Sequence, residues 1–302
     1  MSEAIYHIPA LFEEAIAGLD IKPGGVYVDV TFGGGGHSRG ILSRLGPEGK
    51  LYGFDRDMDA FANVPDDSRF TFVHSNYRYL SNFLRFHGEE KVDGILADLG
   101  VSFHHFDSAE RGFSFRNDAP LDMRMNRRGG ITASEILATY DESQLTSLFR
   151  TYTDLKKPFA LAKALVGARA KDPVTTTFRL ADTVRPFLNP RQEKKDMAQV
   201  FQALRIEVNG EMEALKHFLQ ASAEKLREGG RLAVITYHSI EDRIVKNFIK
   251  TGNVEGIEEK DFFGKVSTPW KAITRSPIVP GDEEVERNPR SRSAKLRIAE
   301  KL

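Results

Sequence analysis

The chain of 302 residues contains no cysteine. That removes disulfides, thiolate metal sites and cysteine nucleophiles together, and suits a cytoplasmic setting. No apolar run is long enough to span a bilayer, and the start, Met-Ser-Glu-Ala-Ile-Tyr-His, lacks a basic region followed by an apolar stretch. An unexported protein without membrane spans is expected. Lysine is missing between Lys22 and Lys50, which rules out a phosphate loop of the Gly-x-x-x-x-Gly-Lys-Ser/Thr type there. Net charge is missing too, with 43 Lys and Arg against 43 Asp and Glu. The balance is uneven, since His104 to Arg205 carries 17 basic against 12 acidic residues and the remainder 26 against 31. The basic middle is either where a polyanion docks or an ordinary solvated helical face.

What is present centres on Gly25 to His37, which reads Gly-Val-Tyr-Val-Asp-Val-Thr-Phe-Gly-Gly-Gly-Gly-His. Val26, Tyr27, Val28 and Val30 make a short β-branched and aromatic run that predicts a buried strand. Four glycines then let the backbone turn sharply and pass close to a ligand, and Ser38 to Leu45 reads as helix. The dinucleotide pattern Gly-x-Gly-x-x-Gly would need a third glycine where Ser38 or Arg39 stands, so NAD is disfavoured without being excluded. S-adenosylmethionine needs close backbone approach and a ribose carboxylate but no phosphate cradle. Lys50-Leu-Tyr-Gly-Phe-Asp55 offers that carboxylate at the end of a second strand, the alternative being a glycine turn and a surface aspartate.

The length predicts two domains, and a hydrophobic content of 40% supports a sizeable core. An opening helix is expected over Tyr6 to Leu19. Strands at 26–32, 50–55, 69–74 and 92–99 then alternate with helices at 38–45, near Asp59 to Ala62, and at 77–86. This predicts a parallel α/β sheet with His37, Asp55, Tyr77 and Asp98 on the rim formed by the strands' carboxyl ends. About a hundred residues of helical signals follow. Thr132-Ala-Ser-Glu135 and Asp141-Glu-Ser-Gln144 have capping-box form, and Pro158 suits the first turn of a helix reaching about Lys171. A helix with Val208, Met212, Leu215, Leu219 and Leu226 on one face is expected to stop at Gly229-Gly230, before a strand over Arg231 to Tyr237.

Six ordered motifs, spread over nearly the whole chain, resemble the bacterial MraW/RsmH family. They are Thr31-Phe-Gly-Gly-Gly-Gly-His-Ser38, Asp98-Leu-Gly-Val-Ser102, Arg111-Gly-Phe-Ser-Phe115 with Pro120-Leu-Asp-Met-Arg-Met125, Phe201 to Asn209, Tyr237-His-Ser-Ile-Glu-Asp-Arg243, and Asn288 to Arg297. The resemblance implies an S-adenosylmethionine-dependent methyltransferase acting on N4 of a P-site cytidine in the decoding centre of 16S rRNA in the small ribosomal subunit. It implies a Rossmann-like class I methyltransferase sheet, residues 1–103 and 206–302, interrupted by an all-helical insertion, 104–205, that recognises RNA. No metal is implied. Gly35, Gly36, His37, Asp55, Tyr77, Asp98 and His105 inherit cofactor contacts. His105 stands where the family carries glutamine, and an imidazole does not reproduce an amide's paired donor and acceptor. Phe103 stands for a serine, and Tyr237 and Ile240 for phenylalanine and leucine.

Cytidine N4 is a poor nucleophile because its lone pair is delocalised, so an enzyme must align it and accept a hydrogen from it. Asp98 is the candidate acceptor, with binding of the cofactor's amino group as the rival role. Amino-group methyltransferases often carry a polar residue, two prolines and an aromatic here, whereas Leu99-Gly100-Val101 follows in this chain. Phe103, Phe113 and Phe115 are candidates to stack an extruded base, or else belong to the core of the insertion. Arg287, Arg290, Arg292, Lys295 and Arg297 would meet RNA phosphates or decorate a solvated hairpin. A hydrolase reading of His238-Ser239 is disfavoured because strand neighbours diverge, and His104-His105 lacks a third metal ligand. A non-catalytic ribosome-binding factor and an NAD oxidoreductase are the competing functional classes.

Overall fold

The computed structural model describes residues 9–100, 108–260, 262, 264 and 266–302. Its contacts divide the chain into two compact units, Met1–Gly100 with Met212–Leu302, and Val101–Glu211.

The first unit is a layered α/β unit. Its elements begin with α1 (Phe12–Gly18), β1 (Val26–Asp29), α2 (Gly36–Leu42), β2 (Lys50–Asp55), β3 (Phe70–His74), α3 (Leu80–Phe86) and β4 (Val92–Asp98). The second unit supplies α4 (Ala133–Thr139), α5 (Glu142–Tyr152), α6 (Pro158–Arg169), α7 (Thr177–Val184) and α8 (Glu193–Asn209). The first unit then resumes with α9 (Glu211–Lys225), β5 (Leu226–Thr236), α10 (Ser239–Thr251), β6 (Trp270–Ala272), α11 (Asp282–Arg287) and β7 (Lys295–Lys301).

The sheet has the order β3-β2-β1-β4-β5-β7-β6. β1 to β5 run parallel, and β7 is antiparallel to both its neighbours. Both faces are covered, which is why β4 is apolar at every position from Ile95 to Ala97 rather than alternating. Val28, Phe54, Ile95, Ala97 and Val234 pack with Phe218 and Phe248 on one side. Tyr27, Leu51, Leu96 and Ile235 pack with Ile16, Ile41 and Leu296 on the other. Successive strand residues point to opposite faces, so one sequence run feeds both cores. The chain order reverses between β1 and β4, and the crevice outside the strands' carboxyl ends at such a reversal is where ligands bind open α/β sheets.

Several expected boundaries move. The helix expected from Val208 through Leu226 is two helices, parted at Gly210 in the left-handed region with φ +57°. The second ends at Lys225, not at Gly229-Gly230, because Leu226 already pairs with Val92 in the sheet. The glycine pair falls where the register shifts between Val92 and Gly94, and Gly229, at φ +76°, accommodates that irregularity. The segment at 77–86 starts as a 3₁₀ turn over Tyr77–Tyr79. α1 starts at Phe12, and the start expected at Tyr6 lies outside the described residues.

In the second unit both expected capping boxes form. Thr132 and Glu135 exchange side-chain to backbone bonds, as do Asp141 and Gln144. Pro158 occupies the first turn of α6. Leu137, Leu145, Phe149, Leu161, Leu180, Val200 and Leu204 are fully buried together, each contributing about 1.5–3 kcal/mol by leaving water.

Candidate active site at the sheet's carboxyl rim

The glycine loop joins β1 to α2. Gly35 caps the helix in the left-handed region, φ +73°, and a Cβ there would lie 2.9 Å from the Phe32 ring. A Cβ on Gly36 would lie 2.3 Å from the Pro9 ring. These two positions require glycine for different reasons, backbone conformation at Gly35 and close packing at Gly36. Gly35→Ala is therefore expected to destabilise the protein by about 1 kcal/mol or more. Chemical denaturation reads this, and an unchanged midpoint would contradict the assignment of strain to this residue.

Asp55, half-buried at the end of β2, is held from two sides. Its Oδ2 accepts from the Gly33 N–H at 2.8 Å and its Oδ1 from the Asp57 N–H at 2.8 Å. Burial pushes its carboxyl up to about 6, against those two hydrogen bonds and with Asp57 and Asp29 nearby adding to the rise. The loop and the second strand are thus tied through the carboxylate that the sequence singles out.

Asp98 ends β4 and is the most constrained of these groups. The Tyr237 hydroxyl donates to its Oδ1 at 2.8 Å, and its Oδ2 stands 3.7 Å from Nδ1 of His37. Burial raises its carboxyl to about 7; the Tyr237 bond opposes the rise, and the charges of Asp29 and Glu241 reinforce it. His37 is buried in the first turn of α2, stacked 6.0 Å from Phe12 and within 3.3 Å of the Ala10 carbonyl. Gly35, Gly36, His37, Asp55 and Asp98 therefore share one rim. Tyr77 follows β3 on that rim, and its ring meets Phe218 edge-to-face at 5.5 Å. His105 lies outside the described residues.

Sequence reasoning passed over the group beneath the loop. Asp29, 1% exposed, accepts from the Ser38 hydroxyl at 2.7 Å and from the Thr31 N–H at 3.1 Å. The Asp98 N–H donates to the Thr31 hydroxyl at 2.6 Å. Asp29 thus orients the first turn of α2 and, through Thr31, the end of β4. Its signal was in plain view, an acid between Val28 and Val30 in a run otherwise wholly apolar. The sequence marks Tyr237 only as standing for a phenylalanine, and its hydroxyl is the donor on Asp98.

Other expectations are corrected. Phe113 is 4% exposed and lies in the helical core, one of the two alternatives the sequence leaves open, whereas Phe115 is half-buried at the edge of that core, its ring 5.4 Å from Phe201. Phe103 lies outside the described residues. Arg297 is buried and makes a two-pronged pair with Asp242, at 2.7 and 3.2 Å, which removes it from any phosphate-binding role; Lys295 lies 3.8 Å from the same carboxylate. His238 and Ser239 are not strand neighbours. His238 caps α10 and its Nε2 sits 3.0 Å from Glu241, which leaves no serine–histidine relay.

The donor set suits a cation with hydroxyls better than a pyrophosphate. Three carboxylates, Asp29, Asp55 and Asp98, converge where a dinucleotide would bring two negative charges.

Residues 4–302 match the model of the MraW methylase family. The chain belongs to that family. Two ribosomal RNA small subunit methyltransferases H are similar over full length. That of Phocaeicola vulgatus is 59% identical over 303 residues, covering 100% of both chains. That of Parabacteroides distasonis is 60% identical over 301 residues, covering 99% of each. Among solved structures, an rRNA methylase from Streptococcus thermophilus is 12% identical with a TM-score of 0.42, covering 100% of this chain and 99% of that one. In this member of the MraW methylase family the glycine loop, Asp55 and Asp98 lie at the carboxyl rim of the seven-stranded sheet.

Proposed function

We propose that the protein methylates small-subunit ribosomal RNA with S-adenosylmethionine, at N4 of a decoding-centre cytidine. The observation that carries this reading is the convergence of Asp98, Tyr237 and His37 beside the glycine loop of a full-length MraW-family chain. The cofactor supplies an electrophilic methyl on a sulfonium. Gly35 and Gly36 let the main chain approach its amino-acid part, Asp55 accepts from the ribose hydroxyls, and Tyr77 lies against the base. In the transfer the methyl–sulfur bond would break as the N4–methyl bond forms, the cofactor would leave as a neutral thioether, and Asp98 would take the proton that the amino group gives up. A carboxyl near pH 7 is matched to that task, being ionised at working pH and basic enough to hold a proton.

Tyr237→Phe removes the hydrogen bond that lowers the Asp98 carboxyl, so that carboxyl rises further. The acid limb of the kcat/KM profile is expected to move to higher pH, with activity lost first below neutrality. A superimposable profile would contradict the contact's role. For the reading as a whole, methyl-tritiated S-adenosylmethionine and ribosomes lacking the modification are the direct test. Label is expected in small-subunit rRNA and not in large-subunit rRNA, and label confined to the large subunit would overturn the assignment.

A further inference from the structure

The second unit contains a loop whose construction the cofactor site does not explain. Met123 is fully buried yet sits at φ +59°, a conformation that a long side chain rarely adopts. Four groups hold it there. The Met123 N–H donates to the Arg111 carbonyl at 2.9 Å, and Asn209 Nδ2 donates to the Met123 carbonyl at 2.8 Å. Asn209 Oδ1 accepts from the Met125 N–H at 2.9 Å, and the buried Arg111 guanidinium donates to the carbonyls of Arg124 and Met125, each at 2.9 Å. Asp122 pairs with Arg124 through both oxygens, at 2.7 and 2.9 Å. Backbone strain of this kind persists only where its surroundings over-determine it, and it marks segments whose exact path matters.

Beyond this brace the chain turns outward. Residues 126 to 131, Asn-Arg-Arg-Gly-Gly-Ile, are all exposed, and side chains added at Gly129 or Gly130 would meet nothing within 4 Å. Arg127 and Arg128 stand at this tip, and among the described residues no ion pair of 4 Å or less joins either to an acidic side chain. A rigid base carrying two outward guanidinium forks suits phosphate oxygens, which arginine grips in a planar, two-pronged way that lysine does not match. We infer that the Arg127–Arg128 tip is a docking loop for the sugar–phosphate backbone of the RNA substrate, fixing register rather than reading bases. The inference rests on the function proposed above. It accounts for Arg111, Asp122, Met123, Arg124 and Asn209, motif residues for which the cofactor rim has no use.

The test uses the full-length protein and unmodified small subunits. R127E/R128E is expected to raise KM for subunits at least tenfold, to leave cofactor Kd unchanged, and to flatten the dependence of log K on log salt by about one to two units. R127K/R128K should recover part of the loss. K156E/K157E, which reverses two exposed charges elsewhere in the same unit, is the control for bulk charge and should change KM little. Wild-type KM and salt slope in R127E/R128E, or an equal loss in the control, would overturn the inference while leaving methyl transfer by the wild type intact. Failure of the wild type itself to bind or methylate subunits would instead remove the function on which the inference rests. Melting curves of each variant separate these effects from unfolding.

Discussion

Asp98→Asn should lower methyl transfer by about 10²–10⁴-fold at pH 7.5, the usual weight of a positioned proton acceptor. The substitution keeps shape and keeps an oxygen to accept from the Tyr237 hydroxyl, so the contact that orients the side chain survives. What it loses is basicity. If Asp98 accepts the amino hydrogen, kcat at saturating cofactor falls while cofactor Kd moves less than tenfold. If it instead grips the cofactor, Kd weakens and kcat at saturation is retained. Stability should move the opposite way. A carboxyl raised to about 7 from an ordinary 3.8 favours the folded state only while protonated. Its penalty is absent below about pH 4, grows between 4 and 7, and is complete above 7. Asp98→Asn is therefore expected to melt higher than wild type at pH 8 and alongside it at pH 4. Equal melting at pH 8 would show that the carboxyl carries no such burden.

Asp55→Ala should weaken S-adenosylmethionine by about a hundredfold, since charge-assisted hydrogen bonds are worth about 1.5–3 kcal/mol each. Two losses combine. The ribose loses its acceptor, and the Gly33 and Asp57 N–H groups lose the oxygens that tie the loop to β2. Asp55→Asn retains one acceptor and should cost less. Because burial lifts this carboxyl to about 6, cofactor affinity of the wild type should strengthen as pH rises from 5 to 7, and the alanine variant should lack that rise. Calorimetric titration measures both, and an alanine variant that binds like wild type would remove Asp55 from the site.

The sheet was legible because its determinants are local. β2 starts at Lys50 and ends at Asp55, as its short apolar run and terminal acid predict, and the two capping boxes are short-range chemistry that no tertiary contact overrides. The break at Gly210 was not legible, because Val208, Met212 and Leu215 keep a helical period straight through it and only the glycine's left-handed backbone interrupts them. The ladder partner of Leu226 is Val92, far away in sequence, so the early start of β5 had no local sign. At the site, the rim residues Gly35, His37, Asp55 and Asp98 follow from their place at strand ends. The aromatics stayed ambiguous for a physical reason. Phenylalanine has no polar handle to distinguish a stacking platform from core, and only the packing shows that Phe113 is core and that Phe115 lies half-buried at its edge. Arg297 misled similarly, since charge alone does not reveal that Asp242 stands opposite it across the packed elements.

The measurement that bears most directly on the account is nucleoside analysis of rRNA from small subunits lacking the modification, after incubation with labelled S-adenosylmethionine and this protein. The account predicts one labelled methyl per subunit, recovered as N4-methylated cytidine from the decoding centre, with the label lost in Asp98→Asn. Label on a different atom or base, or an Asp98→Asn variant that transfers at the wild-type rate, would contradict it.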